Sequence, residues 1–262
     1  MTVPVLAATT EIPTVDLAGR SDVLVLGPSL GSTTASWDGA LAELSANNTV
    51  VRWDLPGHGR SPVASDPFTL AELAQGIIDL LDSLGIEKFA YAGVSVGGAL
   101  SLELALRFPD RVKAIIPICT GAKLGEPAAW DERADLVRAE GPAVLIPVME
   151  ERWFSPEFRE SERGLVDDVM NMIAAADKNS YAYLCEAIGR FDVRDELKNI
   201  SAPVLVISGE LDPGTPPAAG AVIADGVQNG TLEVIAGAYH QAAVEHPLVV
   251  ARLINTFLAD KK

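Results

Sequence analysis

Gly93-Val94-Ser95-Val96-Gly97 stands directly between the apolar run Phe89-Ala90-Tyr91-Ala92 and a helix-forming stretch, residues 99–107. The five residues fit G-x-S-x-G. In that geometry a strand turns sharply into a helix, so the serine hydroxyl is exposed and the helix N-terminus lies under the charge that develops on an attacked carbonyl. The flanking glycines supply what a β-carbon would obstruct: dihedrals outside the usual regions and close strand-to-helix approach. The bare string is common by chance; the strand before it and the helix after it are what mark a nucleophile elbow.

Outward from the elbow, short β-branched runs alternate with longer amphipathic segments, the pattern of strand-helix crossovers in a mostly parallel sheet covered on both faces. The runs are residues 23–26, 49–53, 89–92, 114–118, 204–207 and 232–235; two weaker ones, 3–7 and 14–16, would make an antiparallel start. Thr69-x-x-Glu72 reads as a capping box, followed by Leu70, Leu73, Ile77, Leu80, Leu81 and Leu84 at helical spacing up to a stop at Gly85. A last helix begins at Val244 or Pro247 and reaches Leu258. Between the strands at Ile118 and Val204 lie about 80 residues, where ordinary connections have ~2 to 6. Helical patterns at 130–138, 144–153, 162–176 and 180–190 predict a helical cap over the active-site end of the sheet. The expected division is an α/β core over 1–120, the cap over 121–200 and the rest of the core over 201–262.

With 262 residues and 48% apolar composition the chain can bury one large core. A net charge of −16 without a Lys/Arg cluster argues against nucleic acid or an anionic membrane as partner. An anionic small molecule would need a local cation, because the global field opposes it. Cys119 and Cys185 have neither metal-like nor redox-like spacing and read as buried thiols. There is no basic-then-apolar leader and no run of ~18 apolar residues, so the expectation is a soluble, cytoplasmic protein. The oligomeric state is not written in these features.

A serine hydroxyl needs a histidine to take its proton and a carboxylate to hold that histidine's tautomer. Of the three histidines, His240 follows the last expected strand in a small-residue loop and is the favoured base. His246 precedes Pro247 and reads as exposed, and His58 lies in the tight turn Asp54-Leu55-Pro56-Gly57-His58-Gly59-Arg60-Ser61. Asp212 lies beyond the strand at 204–207, at the sheet end where open α/β proteins place functional groups; Glu210 is its rival. The order Ser95, Asp212, His240 is the triad order of α/β-hydrolases. An oxyanion hole would use the Val96 amide and the Leu30 amide from the loop Gly27-Pro28-Ser29-Leu30-Gly31-Ser32.

With these placed, the chain resembles the 3-oxoadipate enol-lactonases, over nearly its whole length. The specific stretches are Leu26-Gly27-Pro28-Ser29-Leu30-Gly31 with Trp37-Asp38, the turn at 54–61, and Cys119-Thr120-Gly121-Ala122-Lys123-Leu124-Gly125 with Trp130. Arg152-Trp153-Phe154-Ser155 and Tyr183-Leu184-Cys185-Glu186-Ala187-Ile188 add to them. The departures sit beside the base: Tyr239 replaces a small residue, and Gln241-Ala242-Ala243 stands where the family tends to have an apolar residue and an asparagine. The resemblance implies an α/β-hydrolase fold and ring opening of a small enol-lactone of aromatic catabolism through an acyl-enzyme, with no metal or organic cofactor. The substrate's carboxylate would then meet Arg152 or Lys123, with Trp153 as a pocket wall. The rival readings are a broad carboxylesterase, a cofactor-free perhydrolase, and a ligand-binding protein on the same scaffold.

Overall fold

The structure, a computed structural model, describes residues 2–10 and 22–259. Strands β1 (Ala8–Thr10), β2 (Val23–Gly27), β3 (Thr49–Trp53), β4 (Phe89–Val94), β5 (Val112–Ile118), β6 (Val204–Gly209) and β7 (Gly230–Ile235) form one sheet in the order β1-β3-β2-β4-β5-β6-β7. Neighbours are parallel except β1, which runs antiparallel to β3 with Ala8 opposite Trp53. The chain leaves β2 toward one edge to make β3, then crosses back to make β4 on the other side of β2. That reversal opens a crevice above the C-terminal ends of β2 and β4, the place where open α/β sheets bind ligands.

The six principal runs all become strands. The antiparallel start is displaced: residues 3–7, with Pro4 lacking an N–H, make no ladder, and the strand is Ala8–Thr10. The expected run at 14–16 lies outside the described residues. At the other edge β7 is largely exposed, unlike the central strands, which are buried on both faces.

Helices α1 (Asp38–Ser45), α2 (Leu70–Ser83) and α3 (Val96–Arg107) pack on the sheet. The capping box opens α2: Thr69 Oγ1 accepts from the Glu72 amide at 3.1 Å, and Glu72 Oε2 accepts from the Thr69 amide at 2.9 Å. The helix completely buries Leu73, Ile77 and Leu81, each worth roughly 1.5–3 kcal/mol, and Gly85 ends it at φ +70°.

Between β5 and β6 come α4 (Pro127–Glu140), α5 (Ile146–Trp153), α6 (Pro156–Ser161), α7 (Arg163–Ala175) and α8 (Lys178–Gly189); α9 (Pro217–Gly226), α10 (Ala242–Glu245) and α11 (Pro247–Ala259) complete the chain. Of the two starts expected for the last helix, Pro247 is the observed one; Val244 belongs to the short α10, which ends before His246. One core joins Val25, Tyr91, Leu73 and Leu100 to Val169 and Tyr181 of the inserted helices; the other packs Leu26, Ala92 and Ile116 against Leu44 of α1 and Ile254 of α11. Among the described residues no helix is long and apolar enough to cross a membrane.

Candidate active site

Ser95 leaves β4 with φ 57° and ψ −115°, a conformation that costs a side-chain-bearing residue on the order of 1–3 kcal/mol. Its surroundings enforce it. The Ser95 amide donates to the Ile118 carbonyl at 2.8 Å, and α3 starts at the next residue. A β-carbon on Gly97 would meet the Pro28 and Gly27 carbonyl oxygens at 2.7 and 2.8 Å, so only glycine lets α3 press against the loop after β2. The end of β5 binds the next strand too, through the Cys119 amide and the Ile207 carbonyl at 2.8 Å. Elbow and acid loop therefore share one rigid support.

Asp212 follows β6, and its Oδ2 lies 2.7 Å from His240 Nδ1. The other lone pairs of the carboxylate are taken as well: Oδ1 accepts the amides of Gly214 at 2.8 Å and Thr215 at 3.1 Å, and Oδ2 accepts the Thr215 hydroxyl at 2.6 Å. Burial raises the carboxyl's pKa, but the bonds from His240 and Thr215 outweigh it and hold it at about 2. The rival Glu210 faces the other way and accepts from the Gly237 amide at 2.9 Å. Thr215 was not visible in the sequence as a site residue; its amide and hydroxyl, together with the Gly214 amide, fix the carboxylate's orientation.

The depressed pKa has a consequence for stability. A carboxylate whose folded pKa lies below its unfolded value stabilises the fold above the unfolded pKa and loses that contribution as pH falls through the folded one. Between pH 6 and 2, wild type should therefore lose on the order of 2 kcal/mol relative to Asp212→Asn, most of it below pH 4. Urea unfolding of both proteins across that range measures the difference.

A cavity of about 290 Å³ lies over the sheet end, and Ser95, His240 and Asp212 all line it. No direct Ser95–His240 hydrogen bond forms among the described residues; a catalytic bond of this kind often tightens only around substrate. Leu30 lines the cavity as well. Neither the Leu30 nor the Val96 amide donates to another described residue, though Val96, unlike Leu30, is not among the residues lining the cavity. Trp153 is buried in the cavity wall, its ring centre 6.4 Å from that of His240. Tyr239 does not line the cavity; its amide donates to Glu245 Oε2 at 2.8 Å.

The two expected cations part company. Arg152 lines the cavity, and Lys123 does not: its ammonium pairs with Glu126 at 2.7 Å. The cation that the sequence reading missed is Arg133 of α4. Its guanidinium lies 5.2 Å from the Trp130 ring centre and 5.5 Å from that of Tyr181, bonds the Tyr181 hydroxyl, lines the cavity, and has no carboxylate partner among the described residues. The spacing Trp130-x-x-Arg133 on one helix face was the available signal. His58 is fully buried rather than catalytic in position, and His246 is half-buried instead of exposed.

Residues 23–253 match the model of the alpha/beta hydrolase family. The chain is 36% identical to 3-oxoadipate enol-lactonase 2 of Acinetobacter baylyi, over 87% of this chain and 86% of that one. A protein of Variovorax paradoxus named for carbamate hydrolysis, RutD, is 28% identical over 91% of this chain and 92% of its own length. Among solved structures, the enol-lactonase from Burkholderia xenovorans LB400 superposes with a TM-score of 0.91 at 30% identity, covering 97% of this chain and 96% of the other. The chain is a hydrolase of the alpha/beta hydrolase family and groups there with the 3-oxoadipate enol-lactonases.

Proposed function

We propose that this enzyme opens a small enol-lactone bearing a carboxylate arm, 3-oxoadipate enol-lactone, by way of an acyl-enzyme on Ser95. The observation that carries the reading is a strained serine sharing one cavity with a histidine that is bound at 2.7 Å to a fully buried carboxylate. His240 Nδ1–H donates to Asp212, so Nε2 is free to take the Ser95 proton as Oγ attacks the ring carbonyl. The Leu30 and Val96 amides receive the alkoxide. Its collapse breaks the ring C–O bond and expels an enolate, which takes the proton held by His240 and becomes a ketone by tautomerisation of the resulting enol, still tethered through the new ester to Ser95. Water, deprotonated by His240, then releases the diacid and returns the proton to Ser95. The side chains that carry protons and charge through these steps, Ser95, His240 and Asp212, all line this cavity.

An anionic substrate on a chain of net charge −16 requires a local cation. Arg133 supplies it in this reading, in place of the expected Lys123, with Arg152 nearer the triad: its Nη2 would lie 3.1 Å from a β-carbon on Gly214. A charge-assisted carboxylate bond is worth about 1.5–3 kcal/mol. Arg133→Met should thus raise KM for the acidic lactone roughly 10- to 100-fold and spare p-nitrophenyl acetate, so that the ratio of the two efficiencies falls. An equal decline on both substrates would remove Arg133 from this role.

The reading as a whole is tested by offering the purified enzyme the enol-lactone, p-nitrophenyl acetate, a carbamate and peracid-forming conditions. The expected result is an efficiency on the lactone at least about 100-fold above that on the simple ester. Comparable efficiencies would favour a general esterase, and turnover of the carbamate alone would favour the activity for which the Variovorax paradoxus relative is named.

A further inference from the structure

Residues 29–32 form the turn that presents the Leu30 amide. The Ser29 carbonyl accepts both the amide and the hydroxyl of Ser32, each at 3.0 Å, and Gly31 sits at φ +85°. A positive φ at the third position is the mark of a type II turn, whose middle peptide is flipped relative to type I. The Gly31 N–H belongs to that middle peptide, and it donates to His58 Nε2 at 3.2 Å. His58 Nδ1 lies 2.9 Å from the Pro56 carbonyl, which can only accept; the proton is therefore on Nδ1 and Nε2 is bare. The ring is stacked on Tyr181 of α8, centroids 5.9 Å apart and planes 23° apart, and Tyr181 in turn bonds Arg133.

We infer that His58 is a positioning residue for the oxyanion hole: as a neutral Nδ1–H tautomer it holds the Leu30–Gly31 peptide and so keeps the turn in the form that presents the N–H of the adjoining Ser29–Leu30 peptide, the Leu30 donor, to the developing alkoxide. Because peptides are planar, locking the Gly31 N–H and the Ser29 carbonyl fixes the peptides on both sides of the Leu30 α-carbon. Nothing else among the described residues accepts from Gly31. Burial lowers the His58 pKa against the raising effects of the Pro56 carbonyl, Asp54 and Asp177, which keeps Nε2 able to accept. The inserted helices complete the brace: a β-carbon on Gly31 would meet Ile173 of α7 at 3.1 Å and Tyr181 at 3.3 Å. The same aromatic ring thus supports the oxyanion turn and the cavity's cation.

This inference rests on the serine-hydrolase reading above, and its test separates the two. His58→Phe keeps a ring over Tyr181 without an acceptor; His58→Gln restores an acceptor oxygen near the place of Nε2. With p-nitrophenyl acetate, His58→Phe should lower kcat roughly 10- to 100-fold, short of the ~100- to 1,000-fold loss when an oxyanion donor is removed outright. KM should stay within about 2-fold, affinity for a trifluoromethyl ketone should fall by the same factor as kcat, and His58→Gln should recover most of the loss. An unchanged kcat in His58→Phe, equal losses in both variants, or a change in KM alone would overturn it. Nitrogen-15 NMR of labelled histidine in the wild type is independent of how the variants fold: protonated Nδ1 with bare Nε2 is expected, and the opposite tautomer refutes the inference. A wild type without any esterase turnover would instead defeat the hydrolase reading itself.

Discussion

Ser95→Ala should lose at least about 10⁴-fold in kcat while keeping its fold, because the nucleophile, and with it the acyl-enzyme, is gone. Ser95→Gly should be equally inactive and also more stable. The serine occupies φ 57° and ψ −115°, held there by the Ile118 carbonyl and the start of α3. Glycine reaches that region without the steric penalty of a β-carbon, so the substitution should raise stability by about 1 kcal/mol or more, net of the glycine's greater freedom in the unfolded chain. Activity and stability would then move in opposite directions at one position. A residue kept for packing alone would show no such opposition. Thermal unfolding alongside turnover of p-nitrophenyl acetate measures both effects, and an active Ser95→Ala would remove the serine from the mechanism.

The second large effect is expected at Asp212. In Asp212→Asn the Gly214 and Thr215 amides, which donate to Oδ1, hold the side-chain oxygen on their side. The new NH₂ group then occupies the place of Oδ2 and points at His240 Nδ1, where it can only donate. The imidazole is driven to the tautomer with its proton on Nε2, unable to accept from Ser95, and kcat should fall by roughly 10⁴ with KM little changed. Steady-state kinetics at pH 7 check this; a loss below about 10-fold would mean that the carboxylate does not set the tautomer.

The fold, and the meeting of Ser95, Asp212 and His240 at one cavity, were legible because their signals are local or ordered along the chain. The elbow is a strand, two glycines and a helix in direct succession, and Asp212 and His240 each follow a β-branched run. Asp212 was preferred to Glu210 for its place in the loop beyond the strand at 204–207, and the Glu210 bond to the Gly237 amide shows where the other acid goes. Helix α9 was not legible: the stretch 217–226 is rich in Ala and Gly and opens on the second of two adjacent prolines, so neither apolar period nor charge pattern marks it. Helix α6, six residues long, is too short to display a period, and residues 3–7 were credited with a strand that Pro4 does not favour.

The parts of the site that went unread depend on contacts between distant segments. Arg133 on an exposed-looking helix reads as a solvated charge until α8 brings Tyr181 against it. Lys123 lies in a stretch typical of the family yet turns to Glu126, three residues on. His58 reads as part of a tight turn, and only the fold brings it to Gly31, 27 residues earlier. Thr215 is one hydroxyl among many in loops; its role exists because Asp212 is buried beside it.

The central claim is that Ser95 becomes acylated with His240 as its base. Its most direct measurement is intact-protein and peptide mass spectrometry after reaction with a serine-directed fluorophosphonate. One adduct per chain on the peptide containing Ser95, formed far more slowly in His240→Ala, is the predicted result. An unmodified protein, an adduct on another residue, or labelling that does not respond to His240→Ala would contradict it.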